Sequence, residues 1–335
     1  MSHPAKIISL WKLFLLFFIF SLGTACDKNS HREAGVINKL EVTVGRLICG
    51  GHLPLAVVEK KYQDDLTTFR LKTVQNHDWK DVMKDLKTGR LAGTFILSPL
   101  AMEMIRDGFP VKIVLKADRN GNSFVLSKKI KSIDALKDRK TIIAVPHIYS
   151  QHNVLLHMTL KQHNISLDKV TIIGMPPRDM INSLRSGEID GFMVGEPEGN
   201  KSVELGVGWM ASISPKIWKD HMDHVFIATD QFINGQPEQL QELINALVRS
   251  GRYIEANPHE AAVMGEDFTG SNASVFEKVL TTPDWIDYTD MVPTIDELSA
   301  MSQKLVDMGL WKESPDDLAS FIDTRFVEKA VLAVK

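Results

Sequence analysis

The sequence predicts an α/β protein built from two similar lobes, and three observations predict it. The stretch Asp81–Pro99 (DVMKDLKTGRLAGTFILSP) recurs 98 positions later, without a gap, as Asp179–Pro197 (DMINSLRSGEIDGFMVGEP). Asp81/Asp179, Leu86/Leu184, Gly89/Gly187, Gly93/Gly191 and Pro99/Pro197 are identical, and a repeat this long marks a repeated supersecondary unit. Each copy reads as an amphipathic helix (Val82, Met83, Leu86; Met180, Ile181, Leu184) that meets a glycine at its C-cap. Each then enters a compact apolar run, Thr94–Leu97 or Phe192–Val194, as a buried strand does. A strand pattern also precedes each copy, Phe69–Val74 and Val170–Ile173, which gives two strand–helix–strand units.

The chain begins with Lys6 and Lys12 flanking the apolar runs Ile7–Leu10 and Phe14–Leu22. This is shorter than the roughly 20 residues of a membrane span and has the charged start and apolar centre of a secretory signal. It ends Leu22-Gly23-Thr24-Ala25-Cys26, which resembles a bacterial lipoprotein box. The expectation is a signal peptide over residues 1–25, a lipidated Cys26 and a tether to residue 37, with a plain cleaved signal or an uncleaved anchor as the alternatives. Asp27 resembles the signal that keeps some lipoproteins on the inner membrane. Cys49 is the other of two cysteines, so an acylated Cys26 leaves no disulfide. Without residues 1–25 the chain carries 37 basic against 42 acidic residues, a charge of −5, which suggests no nucleic-acid partner. About 300 residues remain, enough for two cores.

In order, Leu40–Val44 alternates as a strand and runs through Leu47-Ile48-Cys49 to Gly50-Gly51-His52, with a helix from Leu53 to Lys61. Gly50 and Gly51 either let backbone amides approach a ligand or make a simple tight turn. Trp79 opens the first repeated helix at a strand-to-helix edge, as a ligand wall or as core, and Ser98 ends the next strand at the same edge. Val111–Leu115 is a strand, and Arg119–Ser123 a polar turn before the strand Phe124–Leu126. Helix and strand then alternate through Ile133–Lys137 and Thr141–Val145. His152 starts a helix, where it faces an anion or serves as a solvated cap. Glu196 aligns with Ser98 across the duplication; a carboxylate there binds a cation, holds a metal or closes an interlobe salt bridge. After the strand Val225–Ala228 come helices at Pro237–Glu255, Pro258–Asp267, Ser274–Thr281, Thr294–Met308, Asp316–Phe321 and Arg325–Leu332. The expected division is lobe 1 over residues 38–125 plus 229–335 and lobe 2 over residues 126–228.

The chain has no Gly-x-Ser-x-Gly elbow, no P-loop and no Rossmann glycine fingerprint. Its eleven histidines match no zinc spacing, and no nucleophile–base grouping is visible, so no metal, no cofactor and no enzymatic activity are expected.

The runs Gly50–Glu59, Trp79–Pro99, Asn120–Asn122, Pro176-Pro177 with Met180, Gly187–Pro197 and Trp218–His221 resemble the nitrate/bicarbonate/sulfonate (taurine-like) family of ABC-transporter substrate-binding proteins. The resemblance spans about Leu40 to Ala330 and implies a type II periplasmic-binding-protein fold, two α/β lobes that close on a ligand. It implies that Trp79 is a pocket wall, that Gly121 and Asn122 belong to an anion-contacting turn, and that His152 contacts ligand. Glu196 falls in the family's Gly-Glu-Pro-Trp motif, with Glu198 in place of the tryptophan; His224 stands where the family has lysine. The implied ligand set is therefore Gly50, Gly51, Trp79, Ser98, Gly121, Asn122, His152, Glu196 and His224. The implied function is a lipid-anchored, monomeric receptor on the periplasmic face of the inner membrane or on the cell surface. It would hand a small polar or anionic solute to an ABC permease and its ATPase. A receptor feeding a regulator, and a thiamine-precursor (pyrimidine) binder or synthase, are the alternatives.

Overall fold

A computed structural model describes residues 39–333, which belong to one compact unit. The expected signal segment, Cys26 and the tether to residue 37 lie outside the described residues. No helix among the described residues is long and apolar enough to cross a membrane.

The first sheet is built from β1 (Leu40–Arg46), β2 (Phe69–Gln75), β3 (Gly93–Leu97) and β4 (Val111–Lys116), with β11 (His224–Thr229) returning from far along the chain. The order is β2-β1-β3-β11-β4; β1 runs parallel to β2 and β3, and β11 antiparallel to β3 and β4. Two helices, α1 (Leu53–Val57) and α2 (Trp79–Lys87), make the parallel crossovers, and α3 (Ser98–Arg106) follows β3. Asp78 caps α2 by accepting from the Asp81 amide at 3.0 Å.

The second sheet repeats that plan. After the two-residue strand β5 (Arg119–Asn120), it contains β6 (Asn122–Ser127), β7 (Thr141–Val145), β8 (Val170–Gly174), β9 (Gly191–Gly195) and β10 (Gly208–Ile213), in the order β10-β6-β9-β7-β8. Here β7 runs parallel to β8 and β9, and β6 antiparallel to β9 and β10. Helix α4 (Gln151–Gln162) is capped by Ser150, α5 (Pro177–Ser186) precedes β9, and α6 (Glu198–Glu204) follows it. β3 and β9 hold equivalent places, as the sequence repeat requires. Their first residues show why both are glycine. A Cβ on Gly93 would lie 2.6 Å from the Ile227 carbonyl oxygen, and one on Gly191 2.6 Å from that of Val125. In each sheet the strand borrowed from across the hinge presses on this position.

Asn122–Ser127 already belongs to the second sheet and His224–Thr229 to the first. The strands therefore cross ahead of Asn122 and ahead of His224, earlier than the expected divisions at 125/126 and 228/229. The two crossing segments lie antiparallel. Ala117 N–H donates to His224 O at 2.9 Å, Asp223 N–H to Asp118 O at 3.1 Å and Asn120 N–H to His221 O at 3.1 Å. Polar residues at 118–123 and 220–224 hid this ladder from an apolar-pattern reading. The same reading missed α3, placed as the end of a strand, together with α6 and β10.

Each sheet carries a core on both faces, and Val154 of α4 joins the core under the first sheet. Phe69, Phe95 and Phe226 pack with the long helix Pro237–Ala256, while Leu86, Ile96 and Ile113 pack under the helix Ile295–Asp307. Phe124 and Leu155 fill one side of the second sheet, and Phe192 and Leu184 the other. Trp285 and Trp311 are core residues.

Candidate functional site

The cleft lies between the strand ends of the two sheets, with the hinge ladder as its floor. β1 delivers Cys49 to the start of the turn Gly50–His52, which leads into α1. The turn is tied to both lobes: Gly50 N–H donates across the cleft to Glu196 O at 3.0 Å, and Tyr288 Oη–H donates to Gly50 O at 2.8 Å. A residual cavity of about 20 Å³ lies here, lined among others by Leu47, Cys49, Trp79, His152, Val194 and His224. A wider cleft of about 290 Å³ adjoins it at the outer sheet edges, between Asn76–Lys80 and Gly174–Arg178.

His224 is the electrostatic centre. Its Nδ1 lies 3.0 Å from Asp223 Oδ2 and 3.5 Å from Asp118 Oδ1, and its Nε2 lies 3.4 Å from Cys49 Sγ. Burial alone would strip its proton, but Cys49, Asp223 and Asp118 hold the proton well above the ordinary histidine range. Asp223 is equally buried, yet the His224 charge outweighs that and brings its carboxyl down to about 2. Burial, with Asp223 nearby, pushes Asp118 up to about 6. A Cβ on Gly51 would sit 2.8 Å from His224 Cγ, so only glycine allows the ring to lie on this turn.

Around this centre, buried polar atoms from both lobes lack a protein partner. They are His52 Nε2, Trp79 Nε1, Asp118 Oδ2, Asn122 Oδ1, Gln151 Oε1 and both ring nitrogens of His152. The hydrogen-bond network fixes their roles. His52 Nδ1 accepts from the Leu47 amide at 3.0 Å, so its Nε2 carries the proton and is a donor. His221 Nδ1 lies 2.8 Å from Trp218 O and donates to it, so His221 Nε2 accepts from Asn122 Nδ2 at 3.1 Å. Asn122 Nδ2 also donates to Asn120 O at 2.7 Å, which leaves Oδ1 as a free acceptor. Burial depresses the His152 pKa to about 3, so that ring is neutral, with one donor and one acceptor. Side chains so deeply buried without partners are costly unless something else meets them.

The expected residues divide in two. Trp79, His152 and His224 line the cavity, and Asn122 lies beside its Gly195 wall. Gly50 and Gly51 shape its floor through close approach. Ser98 donates to Met222 O at 3.3 Å, and Gly121 is consumed by the hinge, its N–H donating to Trp285 O at 2.6 Å and its O accepting from Glu196 N–H at 2.7 Å. Glu196 turns away into its own lobe, where its carboxylate accepts from Ser123 Oγ–H and, at 3.0 Å, from Asn200 N–H. It neither faces a cationic ligand nor closes an interlobe salt bridge; its contribution between lobes is its backbone oxygen. Sequence reading missed Cys49, His52, Asp118, His221 and Asp223. The one available signal was the dense His/Asp run Asp220–His224 directly before a strand.

Two donor groups lie close enough to hold a cation, Cys49/His52/His224 and Asp118/Asp223/His224, each within 4.8 Å. In the first, His52 Nε2 carries a proton and offers no lone pair. In the second, His224 Nδ1 already donates to the carboxylates. Neither set fits a metal as it stands.

The sequence model of the NMT1-like family matches residues 36–266. The nitrate import ATP-binding protein NrtC of Synechocystis sp. is 25% identical over 247 residues, which are 68% of this chain and 37% of that protein. The chain thus spans little more than a third of that relative. The crystal structure of the periplasmic nitrate-binding protein NrtA from Synechocystis PCC 6803 superposes with a TM-score of 0.81 at 17% identity, covering 89% of both chains. The ligand-binding component of an ABC-type import system from Staphylococcus aureus, solved with zinc bound, gives a TM-score of 0.80 at 20% identity, covering 87% of this chain and 99% of that one. These likenesses establish the periplasmic-binding-protein fold.

Proposed function

The chain belongs to the NMT1-like family, and on that premise we propose that it is the solute-binding component of an ABC importer, a binding protein rather than an enzyme. The observation that carries the reading is the set of unpartnered polar atoms on His52, Trp79, Asn122 and His152, two residues from each lobe; Trp79 and His152 line one cavity, and Asn122 lies beside its Gly195 wall. A small solute that met these atoms would hold the lobes together, since each lobe supplies part of its shell.

The polarity of the free atoms narrows the solute. His52 Nε2–H and Trp79 Nε1–H need an acceptor, whereas Asn122 Oδ1 and Asp118 Oδ2 need a donor. An ion with acceptors alone, such as nitrate, leaves the latter two unmet. Bicarbonate, or a sulfonate or carboxylate that also carries an amine or hydroxyl, satisfies both kinds. The solute would pass to a permease and ATPase, with Cys26 anchoring the receptor to the membrane and the hinge at residues 117–121 and 214–223 allowing closure.

The test is a thermal-shift screen of oxyanions, sulfonates, amines and pyrimidines, followed by calorimetry on the hit. Alanine at Trp79, Asn122 and His152 should each weaken binding by about tenfold or more, the cost of one lost buried contact. Unchanged affinity in all three variants would remove the site assignment.

A further inference from the structure

Cys49 Sγ, His224 and Asp223 form a continuous line, with 3.4 Å from Sγ to Nε2 and 3.0 Å from Nδ1 to Oδ2. A histidine oriented by a carboxylate and facing a sulfur is the arrangement that holds a thiol as its nucleophilic thiolate. The sulfur is half-buried and borders the 20 Å³ cavity. A second, independent feature marks the same space as a ligand site. His152 is 2% exposed with both ring nitrogens unpartnered. Its Nε2, Cys49 Sγ and Asn122 Oδ1 lie 3.5, 3.6 and 3.8 Å from the point where a Cβ on Gly195 would stand. The bare face of Gly195 thus leaves one position that a cysteine sulfur, a neutral imidazole and an amide oxygen all reach, beside the apolar wall of Leu47, Leu97 and Val194.

We propose that Cys49 is a reactive thiolate that captures a small, polar-ended disulfide covalently, with His224 and Asp223 as its positioning residues. The Cys49 thiolate attacks one sulfur of R–S–S–R′. The S–S bond of the ligand breaks, Cys49–S–S–R forms, and R′–S⁻ leaves with the proton that His224 Nε2 carried. The exchange needs no outside oxidant, because one disulfide replaces another. It is stoichiometric capture, not turnover, and it does not depend on whether the chain serves an importer. The ionisable groups facing the sulfur are His224 and Asp223 on the returning segment, Asp118 on the outgoing one, His52 on the same turn, His152 on α4, Glu198 on α6 and Tyr288 from the C-terminal part.

The test uses the full chain with Cys26→Ser, which leaves Cys49 as the single thiol. The rate of iodoacetamide labelling is followed by intact mass against pH. The expected rate at about pH 6 is within roughly threefold of that at about pH 9, whereas an ordinary thiol would slow by about 300-fold. His224→Gln and Asp223→Asn should each restore the ordinary slope, a change that a merely structural role would not produce. Cystamine should add half its mass to Cys49 and release one equivalent of thiol, reversibly with dithiothreitol. A wild-type rate falling about tenfold per pH unit below about pH 8, no labelling even at high pH, or no cystamine adduct would each overturn the proposal. The wild-type profile decides the matter even if a variant does not fold.

Discussion

His224 Nδ1 stands 3.0 Å from Asp223 Oδ2, and neither side chain reaches solvent. Two adjacent residues thereby place an ion pair at the inner end of the cleft. Stranding either charge would cost several kcal/mol, because water cannot replace the missing partner. The pair also sets His224 apart from its neighbour His152, which is as deeply buried but has no carboxylate at hydrogen-bond distance.

The two rings should therefore hold different charge states at neutral pH, His224 protonated and His152 neutral. The His224 pKa is raised, so its contribution to stability is full below the unfolded value of about 6.5 and is lost only as pH rises through its higher folded value. His152 stays neutral until about pH 3. Histidine ring resonances followed by NMR should show neither titrating near pH 6.5, and titration of both in that range would contradict the assignment.

Gly51→Ala should destabilise the chain by about 1–3 kcal/mol, the usual cost of an overpacked buried site, because the new methyl group meets the His224 ring. Urea denaturation measures it. A variant as stable as the wild type would mean that the ring has room to move.

Solutes with both donors and acceptors should bind at least about tenfold more tightly than nitrate, the price of leaving one buried acceptor unmet. Calorimetry with nitrate, bicarbonate and an aminosulfonate makes the comparison. Nitrate binding as tightly as the others would show that Asn122 Oδ1 and Asp118 Oδ2 do not face the solute.

Glu196→Gln should flatten the alkaline side of the stability profile. Burial raises the Glu196 carboxyl from an unfolded value near 4.5 to about 7. The folded state thus binds the extra proton, and stability falls as pH rises through that window. Glutamine mimics the protonated acid beside Ser123 and Asn200, so the variant should match the wild type near pH 5. It should exceed it by about 2 kcal/mol near pH 8. Equal slopes in denaturation series at the two pH values would refute this.

The duplicated fold was legible because its signals are local. Helical periodicity over Val82–Leu86 and Met180–Leu184, a left-handed glycine at 89 and 187, and an apolar run after each can be read in one window. The site was only half legible. Trp79, Asn122 and His152 stand at element starts, where a sequence pattern points. Cys49 and His224 are 175 residues apart and meet only because β11 returns beside β3, which no spacing rule encodes. Glu196 was misread for the opposite reason. Its alignment with Ser98 is correct, but alignment fixes a backbone position and not the direction of a side chain, and the carboxylate found Ser123 and the Asn200 amide on its own lobe.

The ladder that joins the lobes also carries Asp118, Asn122, His221, Asp223 and His224. A solute seated there sits close to the fulcrum, while Asn76–Lys80 and Gly174–Arg178 stand at the far ends of the levers. If the lobes close as proposed, a sub-ångström adjustment beside His224 would be magnified into a larger displacement at the rim. Whatever docks on that rim can read occupancy from its contour alone, without touching the solute.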